Sequence, residues 1–96
     1  MVLTEVKQKI QLVEGQFSAS EASDVVSSLI DEKINFHKLQ RLSLREGNIH
    51  ADVSYAESRI QALKEEKQKA KDFIRMARLE GRPVRINGVL NITFED

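Results

Sequence analysis

Ninety-six residues suit one domain spanning 1–96 and leave little room for a second. Fifteen basic residues balance fifteen acidic ones, so no net charge draws the whole molecule toward nucleic acid or anionic lipid. The chain has no cysteine, which excludes a disulfide framework, a thiolate nucleophile and a sulfur-ligated metal.

Val6 to Leu12 reads V-K-Q-K-I-Q-L. Val6, Ile10 and Leu12 fall on one face and Lys7, Lys9 and Gln11 on the other, the period-2 alternation of a half-buried strand. A helix carrying Leu3, Val6, Ile10 and Val13 on one stripe competes with that reading. Gly15 and the helix start just beyond it call for an early turn, which favours a strand ending near Leu12.

Ser18-Ala19-Ser20-Glu21 has the spacing of a capping box, with Phe17 and Ala22 placed as a hydrophobic staple. Ala22, Val25, Val26, Leu29, Ile30, Ile34, Phe36, Leu39 and Leu42 then form a broad apolar stripe at helical spacing. Gly47-Asn48 supplies a stop. The first helix is predicted from about Ala19 to Arg45. After a short connection, in which Asn48 or Asp52 can cap the second helix, Val53, Ala56, Ile60, Leu63, Lys67, Ala70, Ile74 and Ala77 step alternately by three and four residues. That is a coiled-coil-like seam, broken once by Lys67 and widened by Phe73, Met76 and Leu79. Gly81 and Pro83 end the second helix. Two long helices joined by a short loop pack antiparallel.

Asn87-Gly88 has the composition of a tight hairpin turn. A two-residue turn there would set Arg85 against Leu90 and Val84 against Asn91, mixing polar with apolar on both faces. Read straight through, Val84, Ile86, Leu90, Ile92 and Phe94 share one face with Gly88 as a gap, and Val89 is the one apolar exception opposite. One strand bent at glycine is the more consistent pattern. The expected class is α+β and mainly helical: a long antiparallel helical hairpin flanked by N- and C-terminal strands that lie antiparallel as neighbours, in one compact body.

The stretches Phe17-Ser18-Ala19-Ser20-Glu21-Ala22 and Ile34-Asn35-Phe36-His37 resemble small uncharacterised bacterial proteins, in which a strand runs into an F-[ST]-x-x-E-A helix start followed by I-N-F-H. The resemblance spans most of the chain. It implies the strand–helix–helix–strand layout and brings no activity with it.

Chemistry-bearing residues are sparse. His37 and His50 lie too far apart along the predicted hairpin to share a metal. Asp31-Glu32 and Glu65-Glu66 each point to two sides of a helix. His50, Asp52 and Glu57 are the one group that the hairpin tip can gather. No phosphate-binding loop, nucleophile elbow or dinucleotide fingerprint is present. The expectation is a protein without catalytic activity, cofactor or metal. From Lys64 to Arg85 eight basic residues face four acidic ones, and Lys64, Lys71, Arg75, Arg78 and Arg82 share one side of the second helix as candidate phosphate contacts. Interleaved acids such as Glu65, placed to pair with Lys69, and the single tyrosine argue against that use. Self-association is better grounded, because two strands make a poor independent sheet with two bare edges. Val6, Ile10, Leu12, Ile86, Leu90 and Ile92 are the candidate strand-edge residues for pairing with a second copy. The start of the chain lacks a secretory pattern and no stretch is apolar enough to span a bilayer, so a cytoplasmic homo-oligomer is expected.

Overall fold

The computed structural model describes residues 7–95. Its elements are β1 (Lys7–Phe17), α1 (Ala19–Gly47), α2 (Ser54–Glu80) and β2 (Val84–Thr93). The expected order is the order found, and β1 and β2 pair antiparallel as a two-stranded ribbon. Val6, which the expected strand includes, lies outside the described residues.

Local chemistry explains where each helix begins and ends. The amide of Glu21 donates to Ser18 Oγ at 3.1 Å while Glu21 Oε1 accepts from the Ser18 amide at 2.9 Å, completing the capping box. Gly47 is the last helical residue rather than a left-handed cap. Asn48 ends α1 in an extended conformation, its amide donating to Leu44 O at 3.1 Å and its side chain accepting from the His50 amide. Contrary to the expectation from the sequence, neither Asn48 nor Asp52 is the N-cap of α2: Val53 holds that position without a side-chain cap, and Asp52 Oδ1, one residue earlier, accepts from the Ser54 amide at 2.9 Å in a local turn. At the far end of α2, Gly81 takes the left-handed conformation (φ 65°). Its amide donates to Arg78 O and that of Arg82 to Ala77 O, a complete Schellman motif before Pro83.

The amide of Ser18 lowers the Glu21 carboxyl below its ordinary value of 4.5, with the Ser18 hydroxyl adding to the effect. Asp52 is lowered in the same way by the Ser54 amide and hydroxyl. A depressed folded-state value means that the stabilisation is complete above the unfolded value and is lost as pH falls through the folded one. Thermal unfolding followed by circular dichroism should show the wild type losing melting temperature more steeply than Glu21→Gln as pH is lowered from about 5 to about 3.

β1 runs five residues past its expected end at Leu12. Gln11 pairs with Val89 and Val13 with Gly88, which leaves Leu12 as an extra residue in a β-bulge. The bulge shifts the alternation by one residue. Gln8 and Ile10 before it, and Val13, Gly15 and Phe17 after it, all sit over Val84, Ile86, Gly88, Leu90 and Ile92. The ribbon therefore has one apolar face along its whole length. Lys7, Lys9, Gln11, Glu14 and Gln16 lie on the other face with Arg85, Asn87, Asn91 and Thr93. Gln11 Nε2 donates to Val13 O (2.9 Å) and Asn87 Oδ1 (2.6 Å), tying the bulge to the opposite strand. Gly15 does not turn the chain. It stays in the strand at φ 147°, a conformation open to glycine.

The helices pack along the expected seam, with Val53, Ala56, Ile60 and Ile74 buried against Ile34 and its neighbours on α1. Lys67 does not leave a hole in it: the stem lies along the seam and Nζ reaches Asp31 Oδ1 at 2.7 Å. Arg45 pairs with Glu57 at 3.5 Å nearer the loop.

The expected compact body is not what forms. The radius of gyration is 17.7 Å, against about 13 Å for a globule of this length. The extents are 50 × 47 × 14 Å. Helices of this length run about 40 Å. A ribbon laid along them would give one long axis, and a collinear ribbon a much longer one. Two long axes and a thin third describe a flat V. The arms join where Phe17 passes into α1 and where α2 passes into Val84. Near the vertex Leu12 and Val13 stand over Val25 and Leu29, and Val84 lies beside Phe73 and Met76. Beyond that the arms diverge.

Candidate interaction surfaces

Among the described residues, no group of three or more His, Asp or Glu side chains could hold a metal. The hairpin-tip residues are engaged separately, Asp52 with the Ser54 amide and Glu57 with Arg45, while His50 is exposed. Among the described residues, no helix is long and apolar enough to cross a membrane.

His37 is the single buried polar residue of the described core, 2% exposed. Its Nδ1 donates to Gln40 Oε1 at 3.0 Å, and its ring meets those of Phe36 and Tyr55 edge-on. With the proton on Nδ1, Nε2 is a buried acceptor that meets no hydrogen-bond donor among the described residues. An unsatisfied buried polar atom is a structural cost rather than a reactive group in a cleft. His37→Leu is expected to gain about 1 kcal/mol, or roughly 4–8 °C in melting temperature for a chain of this size. A drop of the same size would mean that Nε2 has an essential partner.

The five basic candidates flank the α2 seam. Lys71, Arg75 and Arg78 line one shallow cleft with Ser23 and Ile74. Arg78 and Arg82 border a second beside Ser18–Ser20. Lys64 lies farther along the helix. The structure interleaves acids with these cations: Arg75 lies 3.8 Å from Asp72, Arg82 lies 3.4 Å from Glu80, and Lys69 pairs with Glu66 rather than Glu65. Arg78 Nη2 donates to Ser20 Oγ at 3.5 Å. The arrangement is a solvated helix flank with local pairing.

The apolar residues form the larger feature. The broad α1 stripe divides in two. Ile34 and His37 turn into the hairpin, while Val25, Leu29, Phe36 and Leu39, spaced by four, seven and three residues, run along a second line, where Phe36 is 54% and Leu39 57% exposed. Glu32 interrupts this line, and Lys33 Nζ lies 4.7 Å over the Phe36 ring. On the ribbon, Ile86 is half-buried near the vertex, whereas Ile10, Leu12, Leu90 and Ile92 are exposed toward the tip. These candidate residues stand on the apolar face of the ribbon, and one backbone edge of each strand is also unpaired among the described residues. Sequence periodicity identified the residues of both surfaces but not that each is open. The 3.5-residue spacing of Val25, Leu29, Phe36 and Leu39 was the one available sign of a second helical line.

Comparison with family models, curated proteins and solved structures finds no match to this chain.

Proposed function

We propose that this chain is a non-catalytic structural or interaction module that works as a homo-oligomer in the cytoplasm. One observation carries the reading. The chain exposes 7773 Å², whereas a compact monomer of 11.0 kDa would expose roughly 5,600 Å². The surplus, on the order of 2,000 Å², matches what each partner of an obligate homodimer buries. Exposed apolar side chains stand on both arms, and a two-stranded ribbon by itself is marginal in water. The lack of cysteine suits a reducing compartment. The absence of net charge removes long-range repulsion between copies.

Sedimentation equilibrium over low to high micromolar concentration should give a dimer or a larger closed assembly. A monomer throughout that range would end this reading.

A further inference from the structure

We propose that two copies join through the free backbone edge of β2, strand against strand about a two-fold axis at Val89, so that two ribbons become one four-stranded antiparallel sheet. The inference rests on the homo-oligomeric reading and specifies its interface.

The two edges of the ribbon are protected unequally. β1 carries Lys7, Lys9 and Glu14 and is interrupted by the bulge at Leu12, the devices that keep an edge strand from pairing further. β2 runs ten residues with Arg85 as its single charge, and it contains neither a proline nor an extra residue of its own. The apolar face of the ribbon looks into the notch of the V, so both edges lie along the flat sides of a molecule 14 Å thick.

The bulge shows which backbone groups β2 offers. Gln11 Nε2 donates to Val13 O at 2.9 Å and to Gly88 O at 3.3 Å, so these two carbonyls point between the strands. Alternation along an antiparallel ladder then turns the amides and carbonyls of Arg85, Asn87, Val89, Asn91 and Thr93 outward. That edge is complementary to itself. Centred on Val89, antiparallel pairing sets Asn87 against Asn91, Ile86 against Ile92, Gly88 against Leu90 and Arg85 against Thr93. Apolar meets apolar, polar meets polar, and no like charges oppose each other. Val89 is the one apolar residue on the polar face of β2, and it is half-buried in the single copy. In this register the two Val89 side chains meet at the axis. Moving the centre to Gly88 or to Leu90 sets Val89 against Asn87 or Asn91 instead. The second copy is the occupant for a further reason: an independent sheet needs three or more strands, and joining two ribbons at this edge supplies four through one isologous contact.

A matched pair of prolines tests the edge. Asn91 and Lys9 stand opposite each other, with their amides directed away from each other toward the two edges. Proline at either position therefore removes an outward amide at the same level of the ribbon and breaks no bond between β1 and β2. Asn91→Pro should weaken dimerisation roughly 100-fold, because the symmetry repeats the lost bond at both ends of the interface. Lys9→Pro should leave it unchanged, and both should keep the wild-type helical circular dichroism. Cysteine tests the register, since the chain has none of its own. Across the axis the two Val89 Cα atoms would lie about 5.5 Å apart, within reach of a disulfide. Val89→Cys should give a covalent dimer on mild oxidation at low micromolar concentration. Asn91→Cys, with its two copies about 13 Å apart, should not. Sedimentation velocity on the full chains reads the prolines, and non-reducing electrophoresis reads the cysteines. If the wild type dimerises and Asn91→Pro dimerises equally well, the β2 edge is not the interface, while the homo-oligomeric reading survives. Dissociation by Lys9→Pro as well as Asn91→Pro, or by Lys9→Pro alone, overturns the choice of β2. If Asn91→Pro dissociates and Val89→Cys does not cross-link, the register centred on Val89 is wrong. A monomeric wild type removes both readings.

Discussion

Replacing Ile60 with aspartate is expected to abolish the cooperative fold. Ile60 is 3% exposed at the middle of the seam between α1 and α2. A carboxylate there must either stay charged without a partner or be protonated at a cost, and it also leaves the hole of the missing branched side chain. Together these place the substitution at the severe end of single changes, about 4–5 kcal/mol or more. The total stability available is small. The buried apolar residues of the described core are Ala22, Ile34, Val53, Ala56, Ile60 and Ile74. Two of the six are alanines, and a chain of this length has about 5–14 kcal/mol in all. With so shallow a core the lower end applies. Far-UV circular dichroism should show loss of most helical signal at 25 °C and no cooperative thermal transition. Ile60→Val is the control. It removes one methylene, costs about 0.5–1.5 kcal/mol and should melt cooperatively at a slightly lower temperature. A cooperative transition in the aspartate variant within a few degrees of wild type would mean that the seam does not hold the hairpin together.

Deleting Val89 is expected to weaken self-association and to lower the melting temperature by whatever association contributes to it, whereas deleting Leu12 should keep every other side chain on its face and most of both. The two deletions act on opposite sides of the same bulge. Without Leu12, Gln11 runs directly into Val13, the pairs Gln11–Val89 and Val13–Gly88 become consecutive, and every side chain keeps its face. Without Val89, Gly88 stays opposite Val13 and the strands pair regularly outward with no bulge. Leu12 then faces Leu90, Gln11 faces Asn91, and Ile10 faces Ile92. In that register Leu12, Leu90, Ile10 and Ile92 stand on the former polar face. The tip is exposed on either face of a single copy, so the fold of the single copy is little affected. Its apolar strip no longer continues that of the vertex. Sedimentation velocity and thermal unfolding on the two deletion variants measure both quantities. Association that survives deletion of Val89 would show that the face of the ribbon is immaterial to it.

The bulge also explains the one strand boundary that sequence periodicity misplaces. Alternation holds from Val6 to Leu12 and then changes phase at Val13. A pattern reading takes a change of phase as the end of a strand, and Gly15 reinforces the error because glycine so often turns a chain. Pairing shows instead that the strand continues to Phe17, since Leu12 is accommodated as an extra residue and Gly15 lies opposite Ile86. No local property of Leu12 announces this. The bulge exists because β2 supplies a partner on both sides of it. The reading of Val84–Thr93 as one strand succeeds for the complementary reason: a turn at Asn87-Gly88 would have mixed polar with apolar on both faces, a conflict visible without knowing the partner.

The pairing of the chain ends follows from the antiparallel return of two helices of similar length, and features closed by short-range backbone bonds are legible directly: the capping box at Ser18–Glu21, the stop at Gly81 and Pro83, and the two helices. Each depends on residues a few positions apart, so each leaves a spacing in the chain. Which apolar residues are covered was settled by packing between elements. On α1, Ile34 and Phe36 both belong to one broad stripe, yet Ile34 turns onto α2 and Phe36 does not. Burial depends on what stands opposite, and what stands opposite Phe36 within this chain is the opening of a V whose angle is set at the junctions of ribbon and hairpin. Periodicity says that a face is apolar. It carries no information on the distance to the next surface, and that distance separates a buried core from an exposed face.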